Sequence, residues 1–162
     1  KENSFLEILP QLQNKQKFSQ ERQIARVYEG YRAIKAMFDS VIEELNKNDF
    51  YYAFAFKQEY LKSETASQFL RNVHVKLSEK KVDDRLIAHQ SIKKEFKKNY
   101  AYIENIKLRF TNIDFPLGLM ILQDKIINWT WSDRPTSIII QSKQIAEQYK
   151  KFFLDIWHTA KL

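Results

Sequence analysis

A nucleophilic imidazole, an ammonium two residues later and a carboxylate five residues beyond that form a phosphodiester-cleaving set. The imidazole attacks phosphorus and the ammonium neutralises the phosphate. The chain offers two places for such a set. In "RNVHVKLSEKKVD", 71–83, His74-Val75-Lys76 has the first spacing. Residues two apart share a face only on a strand. Here Phe69, Leu70, Val73 and Leu77 recur at helical spacing, and helix residues two apart diverge by about 200° around the axis. The next Asp, Asp83, also falls two residues too far on. This triplet is expected to be a decoy.

The second place is "LGLMILQDKIINWTW", 117–131, which reads as two short apolar strands around a turn at Gln123–Asp124–Lys125. Asp124 falls where the acid belongs, but the imidazole and ammonium positions are Leu117 and Leu119. Leucine neither attacks phosphorus nor neutralises it, so no catalytic residue is expected and Asp124 reads as a turn residue. The histidines, His74, His89 and His158, are far apart with no carboxylate at ligand spacing, which predicts no metal site. There is no glycine-rich phosphate loop, no serine in an elbow context and no cysteine. No cofactor is implied. Glu43-Glu44 and Asp83-Asp84 read as surface and turn positions.

The elements that must position any site follow from periodicity. With 162 residues, 44% of them hydrophobic, and 12 Phe, 8 Tyr and 3 Trp, the chain suits one packed domain. "IARVYEG" predicts a strand, with Gly30 for the turn out of it. A helix follows, carrying Ile34, Met37, Phe38, Val41, Ile42 and Leu45. "FYYAFAF", 50–56, predicts a strand buried on both faces. The next helix is expected to start near Thr65 and Gln68, which have capping-box spacing. "DDRLIAH", then "IENIKLRF", the hairpin and "TSIIIQ" predict further strands. Ser142 is the expected N-cap of a closing helix whose face carries Ile145, Tyr149, Phe152, Phe153, Ile156 and Trp157. Strand–helix alternation predicts an α/β fold, a single mixed sheet flanked by helices.

No apolar run approaches the roughly 20 residues needed to span a bilayer, and no signal peptide is visible. A cytoplasmic protein with no membrane partner is expected. The formal charge is +7. The densest run, "SIKKEFKKNY", places Lys93, Lys94, Lys97 and Lys98 either on a solvated helix face or at a nucleic-acid contact. Ligands in α/β sheets sit at the carboxyl edge. That singles out Lys57 and His89, and Trp129, Trp131 and Arg134 near the hairpin's end supply stacking surface and charge. Each Trp also suits the core.

Several segments resemble one family. "ARVYEGYRAIKAMFDSVIEEL" resembles the opening strand, glycine and helix of the effector domain of TrmB-type transcriptional regulators. "PLGLMILQDKIINWTW" is similar to that domain's hairpin, and "TSIIIQSKQIAEQYKKFFLDIW" to its closing strand and helix. The resemblance implies a phospholipase-D-like fold, catalytically empty, with a C-terminal helix and a leading linker helix. It assigns 1–22 to the end of a dimerising linker helix and connector, and 23–162 to the effector-binding domain. Leu6, Leu9 and Leu12 in "SFLEILPQLQN" are then the expected dimer contact of a homodimer. The absent initiator Met fits a chain cut after an N-terminal winged-helix domain, through which the whole protein would bind DNA. Several archaeal relatives bind sugars. This sequence is shorter than the sugar regulators and lacks their extra C-terminal portion, which leaves open a sugar, another metabolite or no effector at all.

Overall fold

The computed structural model describes residues 23–55, 63–115 and 118–162. The elements are β1 (Ile24–Glu29), α1 (Tyr31–Glu44), β2 (Phe50–Phe54), α2 (Glu64–Glu79), β3 (Asp83–His89), a 3-10 turn (Gln90–Ile92) running into α3 (Lys93–Tyr100), β4 (Ile106–Thr111), β5 (Gly118–Leu122), β6 (Lys125–Thr130), β7 (Thr136–Gln141) and α4 (Lys143–Thr159). The strands form one seven-stranded sheet, ordered β1-β7-β6-β5-β2-β3-β4. β2, β3 and β4 run parallel, joined by the α2 and α3 crossovers, and all other pairs are antiparallel. This is the single mixed α/β sheet expected from the alternation. The linker helix expected within 1–22, with Leu6, Leu9 and Leu12, lies outside the described residues.

Period-2 alternation assigns every central strand to two cores. Tyr51, Ala53, Leu86, Ala88, Met120, Leu122, Ile127 and Trp129 face α1, α2 and α3. Tyr52, Phe54, Ile87, Leu119, Ile121 and Ile126 face α4, meeting Phe153, Ile156 and Trp157. β2 is therefore covered on both sides, as its continuous apolar run predicts. On the α1 side, Phe38, Phe69 and Trp129 meet with ring centroids 5.3–5.5 Å apart, a geometry worth about 0.5–1.5 kcal/mol per pair beyond burial.

Local chemistry sets the ends of these elements. Gly30, at φ +83, turns β1 into α1 while its N–H donates to the Pro135 carbonyl at 2.8 Å. A side chain at that φ would be strained. Ser142 caps α4 as expected, its Oγ accepting from the Ile145 N–H. The start of α2 differs from expectation. Ser63, not a box at Thr65 and Gln68, is the N-cap, accepting from the Ala66 N–H at 3.2 Å. Helical dihedrals already hold at Thr65, so its hydroxyl is left on an exposed first turn. The closing helix also buries a narrower stripe than expected. Phe153, Ile156 and Trp157 are buried, whereas Tyr149 and Phe152 are exposed, because α4 packs one side on the sheet, chiefly on β6, β5 and β2. Ile103 precedes β4 instead of belonging to it, and is buried in the turn after α3. Among the described residues, no helix is long and apolar enough to cross a membrane.

Candidate functional site

The hairpin is where phosphodiester chemistry would be placed. Leu117 lies outside the described residues. Leu119 stands on β5 opposite Phe54 of β2, at the carboxyl end of the parallel strands. Its side chain is 9% exposed and belongs to the α4-side core. Around it Phe54 packs on Phe115, Phe152 and Phe153 at 4.1, 5.7 and 5.0 Å. An ammonium in that apolar setting would lose its hydration without gaining a partner.

Asp124 is at the opposite end of the same hairpin. The turn is tight, with Leu122 paired to Lys125 across Gln123, which adopts φ +48. One Asp124 carboxylate oxygen accepts from Lys125 Nζ at 2.9 Å, the other from Gln141 Nε2 at 2.8 Å. Its carbonyl accepts from the Ser142 N–H at 2.8 Å. Burial pushes this carboxyl up, but the Lys125 and Gln141 bonds hold it below the ordinary carboxylate value. Asp124 thus ties the β5–β6 turn to the start of α4, a structural task.

The described residues do contain a histidine–carboxylate pair, on the other face of the sheet. His74 on α2 and Asp84 on β3 are 3% and 1% exposed, with Nδ1 2.7 Å from Oδ2. The expectation that Asp83-Asp84 is a surface pair is corrected here. Alternation turns Asp84 inward with Leu86 and Ala88, while Asp83 stays on the α4 side and binds Arg85 and Lys107. The pattern was legible, since His74 falls on the same helical stripe as Leu70, Val73 and Leu77. His74 and Lys76 do not share a face, as their helical spacing predicts: His74 is buried and Lys76 points outward to Asp39.

Burial pushes Asp84 above its ordinary value against the pull of His74. Burial, then the neighbouring Asp84, pushes the Tyr51 hydroxyl well above its ordinary range. Neither Tyr51 Oη nor Asp84 Oδ1 has a hydrogen-bond partner among the described residues. Tyr51 and His74 border a cavity with Phe96, Tyr100, Leu70 and Met120. Its volume of about 20 Å³ is near that of one water, too small for a metabolite or a phosphodiester.

Of the residues singled out for binding, Trp129 and Trp131 meet at 5.2 Å, whereas His89 lies apart from them. Trp129 is fully buried, packed on Phe38 and Phe69. His89, on β3, is separated from β6 by β5 and β2. Alternation places it on the α4 side, opposite Trp129. His89 Nδ1 accepts from the Ser91 N–H at 3.1 Å and caps the 3-10 turn. Arg134 is exposed in the β6–β7 loop, where its N–H donates to Ser132 Oγ at 3.3 Å. Lys57 lies outside the described residues. Trp131, half-buried, meets Trp129 at 5.2 Å and Tyr31 at 6.3 Å.

Tyr31 opens onto a groove between α1 and α2 that periodicity alone did not reveal. The groove measures about 560 Å³ and is bordered by Tyr31, Lys35, Asp39, Gln68, Phe69 and Asn72. Lys35 and Lys76 both donate to Asp39, and chiefly the Lys35 bond draws the Asp39 carboxyl below its ordinary value. The volume is in the range that holds small molecules. Its signal in the sequence is diffuse, since outward-facing polar residues of two helices look like any solvated surface. No group of three or more His, Cys, Asp or Glu among the described residues is placed to hold a metal ion.

Comparison with known proteins places the fold. No family model matches the chain, and no curated protein matches it. Among solved structures, the chain is similar to TrmBL2, an archaeal chromatin protein whose structure is described as showing a novel mode of DNA binding. The identity is 14% and the TM-score 0.60, over 99% of this chain and 67% of that one. It is also similar to Nuc from Salmonella typhimurium, a phospholipase D family member, with 13% identity and a TM-score of 0.57 over 86% of this chain and 97% of that one. NucT from Helicobacter pylori aligns with 8% identity and a TM-score of 0.63, over 86% of this chain and 99% of that one. The chain has the phospholipase-D-like α/β fold, the class implied by the resemblance of its sequence.

Proposed function

We propose that this chain is the ligand-sensing and dimerisation domain of a TrmB-like transcriptional regulator, and that it is not an enzyme. The observation that carries the reading is Leu119 on the hairpin strand, inside an apolar cluster with Phe54 and Phe153 where cleavage would need an ammonium. Loss of that chemistry within a fold shared with a DNA-binding chromatin protein supports a regulatory use of the domain.

In this reading, DNA is bound by a winged-helix domain outside the chain, and residues 1–22, with Leu6, Leu9 and Leu12, contribute to a homodimer. The effector, a sugar or other metabolite, occupies the α1–α2 groove against Tyr31, with Gln68, Asn72, Lys35 and Asp39 as its polar contacts. Its size and mixed lining support this assignment. Effector binding would change DNA affinity through a coupling free energy between the two sites.

The test has three readings on the same purified chain. A phosphodiester reporter should show no turnover above buffer; turnover that survives chelation and is lost on heat denaturation would return the domain to the nucleases. A thermal-shift panel of sugars, sugar phosphates, nucleotides and amino acids should yield a stabilising compound. A ligand at 100 times its dissociation constant contributes about 2.7 kcal/mol, and Tyr31→Ala should abolish the shift. A chain that stays monomeric at high micromolar concentration would overturn the dimerisation role.

A further inference from the structure

Around the outer edge of β4, cations from separate stretches of sequence meet on shared rings. Lys93 and Lys97 of α3 lie 5.3 and 5.8 Å from the centroid of Phe110. Phe110 exchanges both backbone hydrogen bonds with Lys161, at 2.7 and 2.9 Å, so the closing tail runs along β4. Lys94 and Lys98 extend α3 as exposed cations. On the other side of the sheet, Arg109 lies 4.8 Å over Trp157 and donates to its carbonyl at 2.6 Å. Arg85 shares the Trp157 ring at 5.5 Å and covers Tyr52 at 5.0 Å. Lys150 stands 3.9 Å from the Phe50 centroid, beside Tyr52.

α3 and β4 together carry six cations, Lys93, Lys94, Lys97, Lys98, Lys107 and Arg109, against one carboxylate, Glu95. Among ion pairs of the described residues, Asp83 takes Arg85 at 2.8 Å and Lys107 at 2.7 Å. Positive charge therefore gathers at this end of the sheet.

We propose that the β4 edge is a nucleic-acid-binding surface whose cations track the phosphodiester backbone. The cations stand on both faces of the sheet and on several strands. Neighbouring strands are about 4.8 Å apart, so no single phosphate reaches them all, whereas a polyanion with repeated charges does. A flat bilayer surface meets one side of such an edge, while this band continues around it. Neutralising phosphates releases condensed counterions, which gives affinity without sequence preference. The proposal concerns the domain itself and stands whether or not the regulatory reading holds.

The experiment is fluorescence anisotropy of a labelled DNA duplex against the intact chain across about 50 to 200 mM salt. Three double variants are compared with the parent: Lys93→Gln with Lys97→Gln, Lys107→Gln with Lys150→Gln, and, away from the edge, Arg32→Gln with Lys143→Gln. Each edge pair should reduce the slope of log K against log salt by about 2, roughly one per cation removed, and the third pair should leave it unchanged. Melting temperatures identify any variant that fails to fold, and for that pair Lys→Arg should restore binding if charge is what matters. Absence of binding at the lowest salt, equal weakening by all three pairs, or equally effective competition by polyglutamate or phosphatidylserine vesicles would overturn the proposal.

Discussion

The two faces of the sheet treat titratable groups differently. On the α4 face, at the carboxyl edge of β2 and β3, Leu119 and the phenylalanines around it carry no titratable group, while His89 at the end of β3 stands 3.7 Å from the exposed Asp114. On the α1–α2–α3 face, His74 and Asp84 have the groups and a 2.7 Å contact, but both are sealed in the core beside a cavity of about 20 Å³. Residue types at a suitable spacing are thus neither necessary nor sufficient for a site. Access decides, and access is set by which neighbours pack over the side chain.

The largest effect that probes this contrast is expected from breaking the buried pair. His74→Ala leaves Asp84 buried without its partner and should cost about 3–5 kcal/mol in urea unfolding. Replacing both, His74→Leu with Asp84→Val, should recover most of that loss. A cost below about 1 kcal/mol for His74→Ala would mean the pair is solvated and the contrast between the faces is wrong.

On the other face, Leu119→Ala should cost about 2–5 kcal/mol, the range for a large-to-small change in a packed core. Leu119→Lys should lower the melting temperature further and give no cleavage of a phosphodiester reporter. If Leu119→Lys were tolerated at full stability, that end of the hairpin would be open to water after all. A smaller effect, about 1 kcal/mol, is expected for Ser142→Ala, which removes the α4 cap next to the Asp124 turn.

The smallest effect is graded with pH. Asp83 and Asp124 are pushed up by burial, yet held below the ordinary value of 3.8 by bonds from Arg85 and Lys107, and from Lys125 and Gln141. As pH falls, the unfolded chain takes up protons at these groups before the folded one does. The stability they contribute is therefore present above the ordinary carboxylate value and declines as pH drops below about 4. Asp124→Asn should flatten that acid limb, measured by thermal melts across pH. At the alkaline end, burial and Asp83 push Tyr52 up to about 12. The unfolded chain then ionises first, and stability should fall as pH rises through about 10 toward 12.

Most of the fold was legible because its signals are local. The continuous apolar run of β2, the helical stripe of α1, the polar turn at Gln123–Asp124 and the Ser142 cap all depend on residues within a few positions of one another. The apolar character of Leu119 on the hairpin strand was legible as well, and the structure places it in the α4-side core. The candidate binding residues were less so. Trp129 suits a stacking platform or a core equally well by composition, and only the packing of Phe38 and Phe69 shows which it became.

By itself the sequence determined the element order, the two-faced burial of the central strands and the lack of a cleaving pair at Leu119. The strand order, the pairing of His74 with Asp84 across ten positions of sequence, and the meeting of Lys93, Arg109, Arg85 and Lys150 around the β4 edge were decided only by the tertiary structure. The physical reason is that hydrogen-bonding pattern and hydrophobic period are properties of neighbours along the chain. Desolvation and net surface charge belong to neighbours in space, and those are assigned only once the sheet has closed its register.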